Sequence, residues 1–500
     1  MWTTAWRANA NLRNRRARAC IPRRRKRALR NLIALVGALA VGACATANAN
    51  QSGTATASSE PIPVIDKNPY ASTYRPYGSV PTLLTGANIY DGAGGRIMGG
   101  QVLMVDGKVA AIGQTVEAPA GTETIDAAGK WVTPGVIDVH SHLGDYPTPS
   151  VMAHSDGNEV SGPVTAEVHA EHAVWPQDPG FSRALAAGVT TLHVLPGSAN
   201  LFGGRGVTLR NVPARTVQGM KFPDAPYSLK MACGENPKRV YGSRGRMPAS
   251  RMGNFALYRK TWQDAVEYDR KWDRWEEKVE NGTAKASDMP DRNLQMETLR
   301  GVLDGEILVQ NHCYRADEMA LILDLAKEFG YHVSAFHHAV EAYKIGDLLA
   351  EADTCAAMWA DWWGFKMESY DGIQENIPFV EAEGACAITH SDDEIGIQRL
   401  NQETAKAWAD GNRAGLNIPA ETAWTWVGVN AAKAIGLEDE IGSLEPGKRA
   451  DVVLWNGDPL SNYSRPEKVW IDGALMYDVE TGMRPVSDFE LGQPGEGDTK

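Results

Sequence analysis

Two histidines, His140 and His142, stand two positions apart in the run GVIDVHSHLG, directly after Val136 to Val139, which read as a buried strand. Side chains at i and i+2 of a strand share a face, so both imidazoles can grip one metal ion. Elsewhere, a histidine ends or closely follows an apolar run only around His193, His312, His338 and His390. That distribution points to a metal site assembled from several strand ends. An HxH pair alone is a weak signal, because satisfied core histidines are common. The hydrophobic strand and Pro134-Gly135 before it raise its weight.

The chemistry such a site offers is the generation of a nucleophile. Bulk water has a pKa near 15.7, and one or two bound cations lower it to about 7 while polarising a substrate carbonyl. His312 ends a central strand, His338 the next, and Asp392 follows the last apolar run. Of the adjacent His337 and His338, strand alternation lets one point inward; Val333 and Ala335 share the parity of His337, which favours His338. His390 shares parity with Asp392 and is expected to line the pocket as a substrate-contacting group, with a packed histidine as the alternative. His193, between Leu192 and Val194, reads as structural, and His154, His169 and His172 as surface or rim residues. Arg239 and Tyr241, then Arg251, follow the GEN segment and are candidates to meet a substrate carboxylate. Asn200, Gly203, Gly204 and Arg205 read as a loop needing tight turns, phosphate binding being the sharper alternative. For the aromatic cluster Trp359, Trp362, Trp363 and Phe365, packing against helices is the default and lining of an apolar pocket the alternative.

The elements that must position these residues are legible as repeated strand and helix units between residues 135 and 437. Strand candidates are VIDVH, GVTTLHVLP, YSLKMACG, EILVQNHC, YHVSAFHH, a segment near Thr354 to Trp359, and GACAITHSD. The stretch ADEMALILDLAKEFG has helical apolar spacing and stops at Gly330. About 300 residues of such units predict an α/β fold, a (β/α)8 TIM-like barrel, with an open doubly wound sheet as runner-up. In a barrel the active site lies at the C-terminal strand ends, where the ionisable residues fall. A polar, Trp-rich insert from Asn254 to Arg300 reads as exposed helices decorating the barrel. Strand-rich blocks at 81–134 and 438–480 are each too small to bury their strands, so they are expected to pair into one small β-sandwich.

The chain has 500 residues, 43% hydrophobic and 22% charged, which describes a globular protein and argues against multiple membrane spans. Residues 1–44 hold eleven Lys and Arg and no acid, so a formal charge of −12 becomes about −23 for the remainder, and nucleic acid is not expected as a partner. Basic residues through Arg30 and the apolar LIALVGALAVGA from Leu32 to Ala43 read as an export signal, with a lipoprotein-type cleavage box at Cys44 as one reading. The expected location is the periplasm or lipid-anchored cell envelope of a bacterium, membrane contact coming only through Cys44. Residues 45–80 read as a disordered tether and 481–500 as a tail. The cysteines at 233, 313, 355 and 386 lack CxxC spacing and read as buried thiols, a bridge being the alternative.

The order of parts resembles the amidohydrolase superfamily: a first sandwich half, PGVIDVHSHLG, later histidines at strand ends, ITHSDDE, NAAKAIGL, then IGSLEPGKRADVVLW and a second sandwich half. The resemblance runs from about Val80 to Asp478, and PGSANLFGGRGV, LKMACGENPKRVYG and HHAVEAYK are similar to an imidazolonepropionase-like or prolidase-like branch. It implies that His140 and His142 hold the more buried metal, that His312 and His338 hold a second, and that Asp392 is both ligand and proton shuttle. It also implies a bridging ligand, for which this chain offers Lys230, as a carbamate, or Glu235. Ala232 and Gly234 on the parity of Lys230 leave room for the longer group, which favours Lys230. The cofactor implied is one or two divalent ions, zinc first and Mn, Fe or Co compatible. The function implied is metal-dependent hydrolysis of a non-standard amide, cyclic amide or dipeptide-like C–N bond in a small molecule, through metal-activated hydroxide. Alternatives are an ester, phosphoester or ring substrate at the same site, or a non-catalytic envelope binding protein. A homo-oligomer is compatible with the sequence.

Overall fold

In the computed structural model of the protein, residues 65–482 are described, apart from Lys67 and Pro149. The leader, Cys44 and the last part of the tail lie outside the described residues. Strands β1 (Thr82–Tyr90), β2 (Arg96–Val105), β3 (Lys108–Gly113), β4 (Glu123–Asp126) and β5 (Trp131–Pro134) come first. The barrel strands follow: β6 (Val136–Ser141), β7 (Val189–Val194), β8 (Phe202–Arg210), β9 (Ser228–Ala232), β10 (Leu308–His312), β11 (Ala335–His337), β12 (Cys355–Met358) and β13 (Ala387–Thr389). Strands β14 (Val452–Trp455), β15 (Pro466–Ile471) and β16 (Ala474–Asp478) then return to the first block. The two terminal blocks form one sheet, joined where β14 runs antiparallel to β5 with Val453 opposite Thr133. Leu84, Val102 and Val132 from the first block share an apolar cluster with Val452, Leu454 and Trp470 from the second. Neither block has enough apolar area for a core of its own, which is why they fold together.

Strands β6 to β13 are hydrogen-bonded in chain order. The ring nearly closes where the Asp392 N–H, just after β13, donates to the His140 carbonyl at 3.0 Å. The expected barrel is therefore present, with one departure: β8 is antiparallel to both β7 and β9. The residues read as a Gly-rich loop lie in or just before this strand. Only seven residues link β7 to β8, too few for the crossover a parallel pair needs. Gly204 is required here by a close approach, since a Cβ would lie 2.6 Å from the Val168 carbonyl oxygen and its φ is +116°. Arg205 donates to Thr298 Oγ1 at 2.8 Å, and Asn200 Nδ2 to the Glu159 and Gly162 carbonyls, so the segment is built into the barrel wall rather than shaped around a phosphate.

Three further expectations are corrected. The insert is not an exposed decoration: the helix Arg251–Glu280 buries Tyr258, Trp262, Trp272 and Trp275 in the main core. The tether ends before residue 80, because Ser72 Oγ donates to the Lys221 carbonyl and Tyr74 is buried with its hydroxyl on Asp472 Oδ2 at 2.5 Å. The four cysteines form two disulfides, Cys233–Cys313 and Cys355–Cys386. Each pair joins neighbouring parallel strands, a proximity that separations of 80 and 31 residues hide in the sequence. The helix Ala316–Phe329 stops as expected at Gly330, which takes the left-handed conformation.

Candidate metal centre

Every residue of β6 is buried, and its last turns deliver His140 and His142 to the C-terminal mouth of the barrel. Asp392, following β13, sets Oδ1 3.3 Å from both His140 Nε2 and His142 Nε2, and Oδ2 3.7 Å from His338 Nε2. Lys230, fully buried in β9, places Nζ 3.3 Å from His140 Nε2. His338 and His390 are in contact, Nδ1 to Nε2 at 2.8 Å, and the His312 ring centroid lies 4.9 Å from that of His338. Candidate ligand atoms of His140, His142 and Asp392 lie within 4.8 Å of one another, as do those of His140, His337 and His390. Six of the sequence-derived residues thus converge with His390: His140, His142, Lys230, His312, His338 and Asp392.

His337 belongs with them, contrary to the parity expectation. Its Nδ1 is 2.8 Å from His140 Nδ1 and its Nε2 is 2.7 Å from Gln310 Oε1. Alternation fails because β11 ends at His337 and His338 takes φ +56°, turning the chain so that both rings face inward. Glu235 does not join the cluster; its carboxylate is 3.6 Å from Lys366 Nζ. Arg239 is exposed on the same helix, Glu235–Gly242, and Arg251 pairs with Asp317 at the surface. Tyr241 is buried with its hydroxyl on the Gly162 carbonyl at 2.6 Å, where it holds a loop rather than facing the histidines. His193 is structural as expected, bonded to Thr208 and Ser228.

Several positioning residues escaped the sequence reading. The His142 Nδ1 edge meets the Leu195 carbonyl at 2.8 Å, which orients Nε2 toward Asp392. Asp138, buried in β6, accepts from the Ser391 hydroxyl and N–H and from the His140 N–H, tying β6 to the end of β13. A carboxylate inside an otherwise apolar strand is a signal of this kind, since burial costs several kcal/mol unless partners are supplied. Burial pushes the Asp138 carboxyl up to about 7, against the opposing effect of the Ser391 and His140 hydrogen bonds.

Burial also dominates the electrostatics of the cluster. It drives His140, His312, His337 and His338 well below the ordinary imidazole range, nearby cationic groups pushing the same way, and takes His390 down to about 4 against the pull of Asp392. It brings the Lys230 amine down to about 7. Neutral imidazoles present lone pairs, and Nδ1 of both His312 and His390 has no hydrogen-bond partner among the described residues. Buried nitrogens facing nitrogens, with a single carboxylate among them, make a donor set that suits a divalent cation.

The sequence model of the Amidohydrolase family matches residues 378–476, from the helix before β13 through the return of the terminal sheet. The chain is 31% identical over 394 residues to the amidohydrolase tasK of Hapsidospora irregularis, covering 76% of this chain and 39% of that protein. It therefore spans about two fifths of the length of that curated relative. An imidazolonepropionase of Methylobacterium nodulans is 36% identical over 119 residues, 21% of this chain and 30% of that one. The crystal structure of an amidohydrolase from Thermotoga maritima superposes with a TM-score of 0.72 at 34% identity, covering 79% of this chain and 100% of that one. With identity and coverage at that level, the chain belongs to the amidohydrolase family.

Proposed function

We propose that this protein is a metal-dependent hydrolase of C–N bonds, acting on a small non-standard amide, cyclic amide or dipeptide-like substrate. The observation that carries the reading is the shared approach of His140 Nε2 and His142 Nε2 to one oxygen of Asp392, each at 3.3 Å, beside buried imidazoles with unsatisfied nitrogens. In this reading His140, His142 and Asp392 would hold one ion and His312 and His338 a second, with Lys230 as a further ligand. Lys230 is favoured over Glu235 because its Nζ reaches the cluster while Glu235 pairs with Lys366. Its amine, brought down to about 7 by burial, is available in neutral form to add carbon dioxide with release of a proton to solvent, giving a carbamate that would supply a ligand oxygen. A divalent ion bound there activates water and polarises the scissile carbonyl.

The remaining work falls to side chains. Asp392 takes the proton of the attacking water and returns it to the leaving nitrogen, a transfer typically contributing about 10²- to 10⁴-fold. Gln310 accepts from His337 Nε2–H, which leaves His337 Nδ1 as acceptor toward His140 and fixes the ring in place. Asp138 and Ser391 hold the ends of β6 and β13 together, so the three atoms that meet at Asp392 keep their spacing. A panel of dipeptides, lactams and N-acyl amino acids tests the reading: turnover that disappears with chelator and returns with Zn or Mn is expected. Turnover that is indifferent to chelation, or none on any amide, would sink it.

The two disulfides support the export reading of the leader, since such bridges persist in oxidising compartments. Cell fractionation is expected to find the chain outside the cytoplasm, with Cys44→Ala releasing it from membranes where the lipid anchor is used.

A further inference from the structure

An aromatic stack leads out of the candidate metal centre. The Trp359 ring lies on His338, centroids 4.5 Å apart and 22° from parallel, and Trp362 lies on Trp359 at 5.1 Å and 24°. Trp359 is buried and fixed by its indole N–H, which donates to the Ser391 carbonyl at 2.9 Å, so the base of the stack is rigid. Tyr314 sits beside both rings, 5.8 Å and 28° from His338 and 6.0 Å and 37° from Trp359, with Lys366 Nζ 4.0 Å over its ring. Phe365 bridges the two arms, 5.8 Å from Trp359 and 6.2 Å from Tyr314. Beyond this base the chain breaks a general rule of surfaces. Between residues 362 and 370 Trp362, Trp363, Phe365, Met367 and Tyr370 are 40%, 57%, 56%, 77% and 67% exposed. Large apolar side chains gathered in one short segment at the mouth of a site mark a place where something apolar binds.

We propose that this lip is the side-chain subsite of the enzyme, and that its substrate carries an aromatic ring beside the scissile amide. The proposal rests on the hydrolase reading above and deepens it. Three features select an aromatic ring over an aliphatic chain. Flat faces continue outward from His338 through Trp359 to Trp362, and a ligand ring extends that stack in the offset geometry such rings favour. Phe365 meets Trp359 edge-on, at 77°, so the lip presents ring edges as well as faces. The stack starts on a histidine of the cluster itself, His338, so a ring on the lip continues from the place where a carbonyl at Asp392 would lie. Lys366, paired with Glu235 at 3.6 Å, keeps Tyr314 from swinging into that space. Burying one phenyl group on such a surface is expected to tighten binding roughly tenfold to a hundredfold.

The test uses the full chain and two amide probes that differ by one ring, 3-phenylpropanamide and propanamide. Calorimetric dissociation constants are measured for the wild type, for Trp362→Ala/Phe365→Ala, and for Asp392→Asn. The expected result is a preference for the phenyl probe of about tenfold or more in the wild type and in Asp392→Asn. In the lip variant, whose thermal midpoint should match the wild type because the altered residues are exposed, the preference falls to within about threefold. Equal binding of both probes by the wild type, or a preference the lip variant retains, overturns the proposal. So does light scattering that shows a wild-type dimer split by the lip substitutions, which would make this surface a contact between copies. A parallel turnover panel separates the two readings. Amides hydrolysed without aromatic preference refute the subsite alone, whereas an intact binding preference with no amide hydrolysed refutes the hydrolase reading and leaves the subsite standing.

Discussion

Two clusters of buried polar groups lie at opposite ends of the barrel strands, and they differ in how their charges are met. Where β8 ends, Arg210 donates both guanidinium nitrogens to Asp451 at 2.5 Å and lies 3.2 Å from Asp472, which also takes Arg449 at 3.0 Å and the Tyr74 hydroxyl at 2.5 Å. Those residues come from the N-terminal segment, the barrel and the terminal sheet, and opposite charges face one another throughout. At the C-terminal mouth, six imidazoles and a lysine surround one carboxylate, nitrogen faces nitrogen, and two imidazole nitrogens have no partner among the described residues. Burial thus serves two purposes. The paired cluster fastens parts of the fold together, and the unpaired one offers a donor set open to a divalent ion.

The sharpest way to break this contrast is to remove function at one end and stability at the other. Asp392→Asn is expected to lower kcat by about 10²- to 10⁴-fold, while the denaturation midpoint of the metal-free protein moves far less than in Arg210→Ala. Arg210→Ala leaves Asp451 buried without its counter-charge and Asp472 with Arg449 alone, and is expected to lower folding stability by about 3–5 kcal/mol, measured by chemical denaturation. Removing metal with chelator should lower the thermal midpoint of the wild type, since an ion that binds only the folded state stabilises it by about 4 kcal/mol at a thousandfold excess over Kd. That shift should be absent in His140→Ala/His142→Ala. A smaller effect is expected from Gln310→Leu, which removes the partner of His337 and should weaken metal affinity about 10- to 100-fold in a competition titration.

How far the sequence announces these two ends is itself unequal. The mouth is largely legible, because His140, His142, His312, His338 and Asp392 each follow an apolar strand and strand ends are where a barrel gathers chemistry. What escaped there depends on single dihedrals: His338 at φ +56° ends the alternation that would have turned His337 away. Glu235 and Lys230 were both plausible by spacing, and only the direction of the helix Glu235–Gly242 carries the glutamate off to Lys366. The paired cluster is not legible, since Tyr74 and Arg210 lie more than two hundred residues before Arg449, Asp451 and Asp472, and nothing in the sequence marks them as partners. The disulfides and the antiparallel β8 were hidden for the same reason, being facts of which strands become neighbours.

The smallest expected effects probe the paired end. Tyr74→Phe removes one hydrogen bond to a buried carboxylate and should cost about 1–3 kcal/mol, read by denaturation. Arg210, Tyr74 and Arg449 hold the Asp472 carboxyl below its ordinary value despite burial. A depressed carboxyl contributes stability that is present above its unfolded pKa of about 4 and is lost as pH falls through the lower folded value. Acid unfolding of the wild type should therefore show this loss below about pH 4, and a stability flat between pH 5 and 2 would contradict the assignment.

The central claim, that the unpaired end is completed by a cation, is tested most directly by elemental analysis of protein purified without chelator, wild type beside His140→Ala/His142→Ala. At least one divalent ion per chain in the wild type and a loss of at least one in the double variant is the expected result. A wild-type protein without a stoichiometric divalent ion, or a double variant with unchanged metal content, would contradict it.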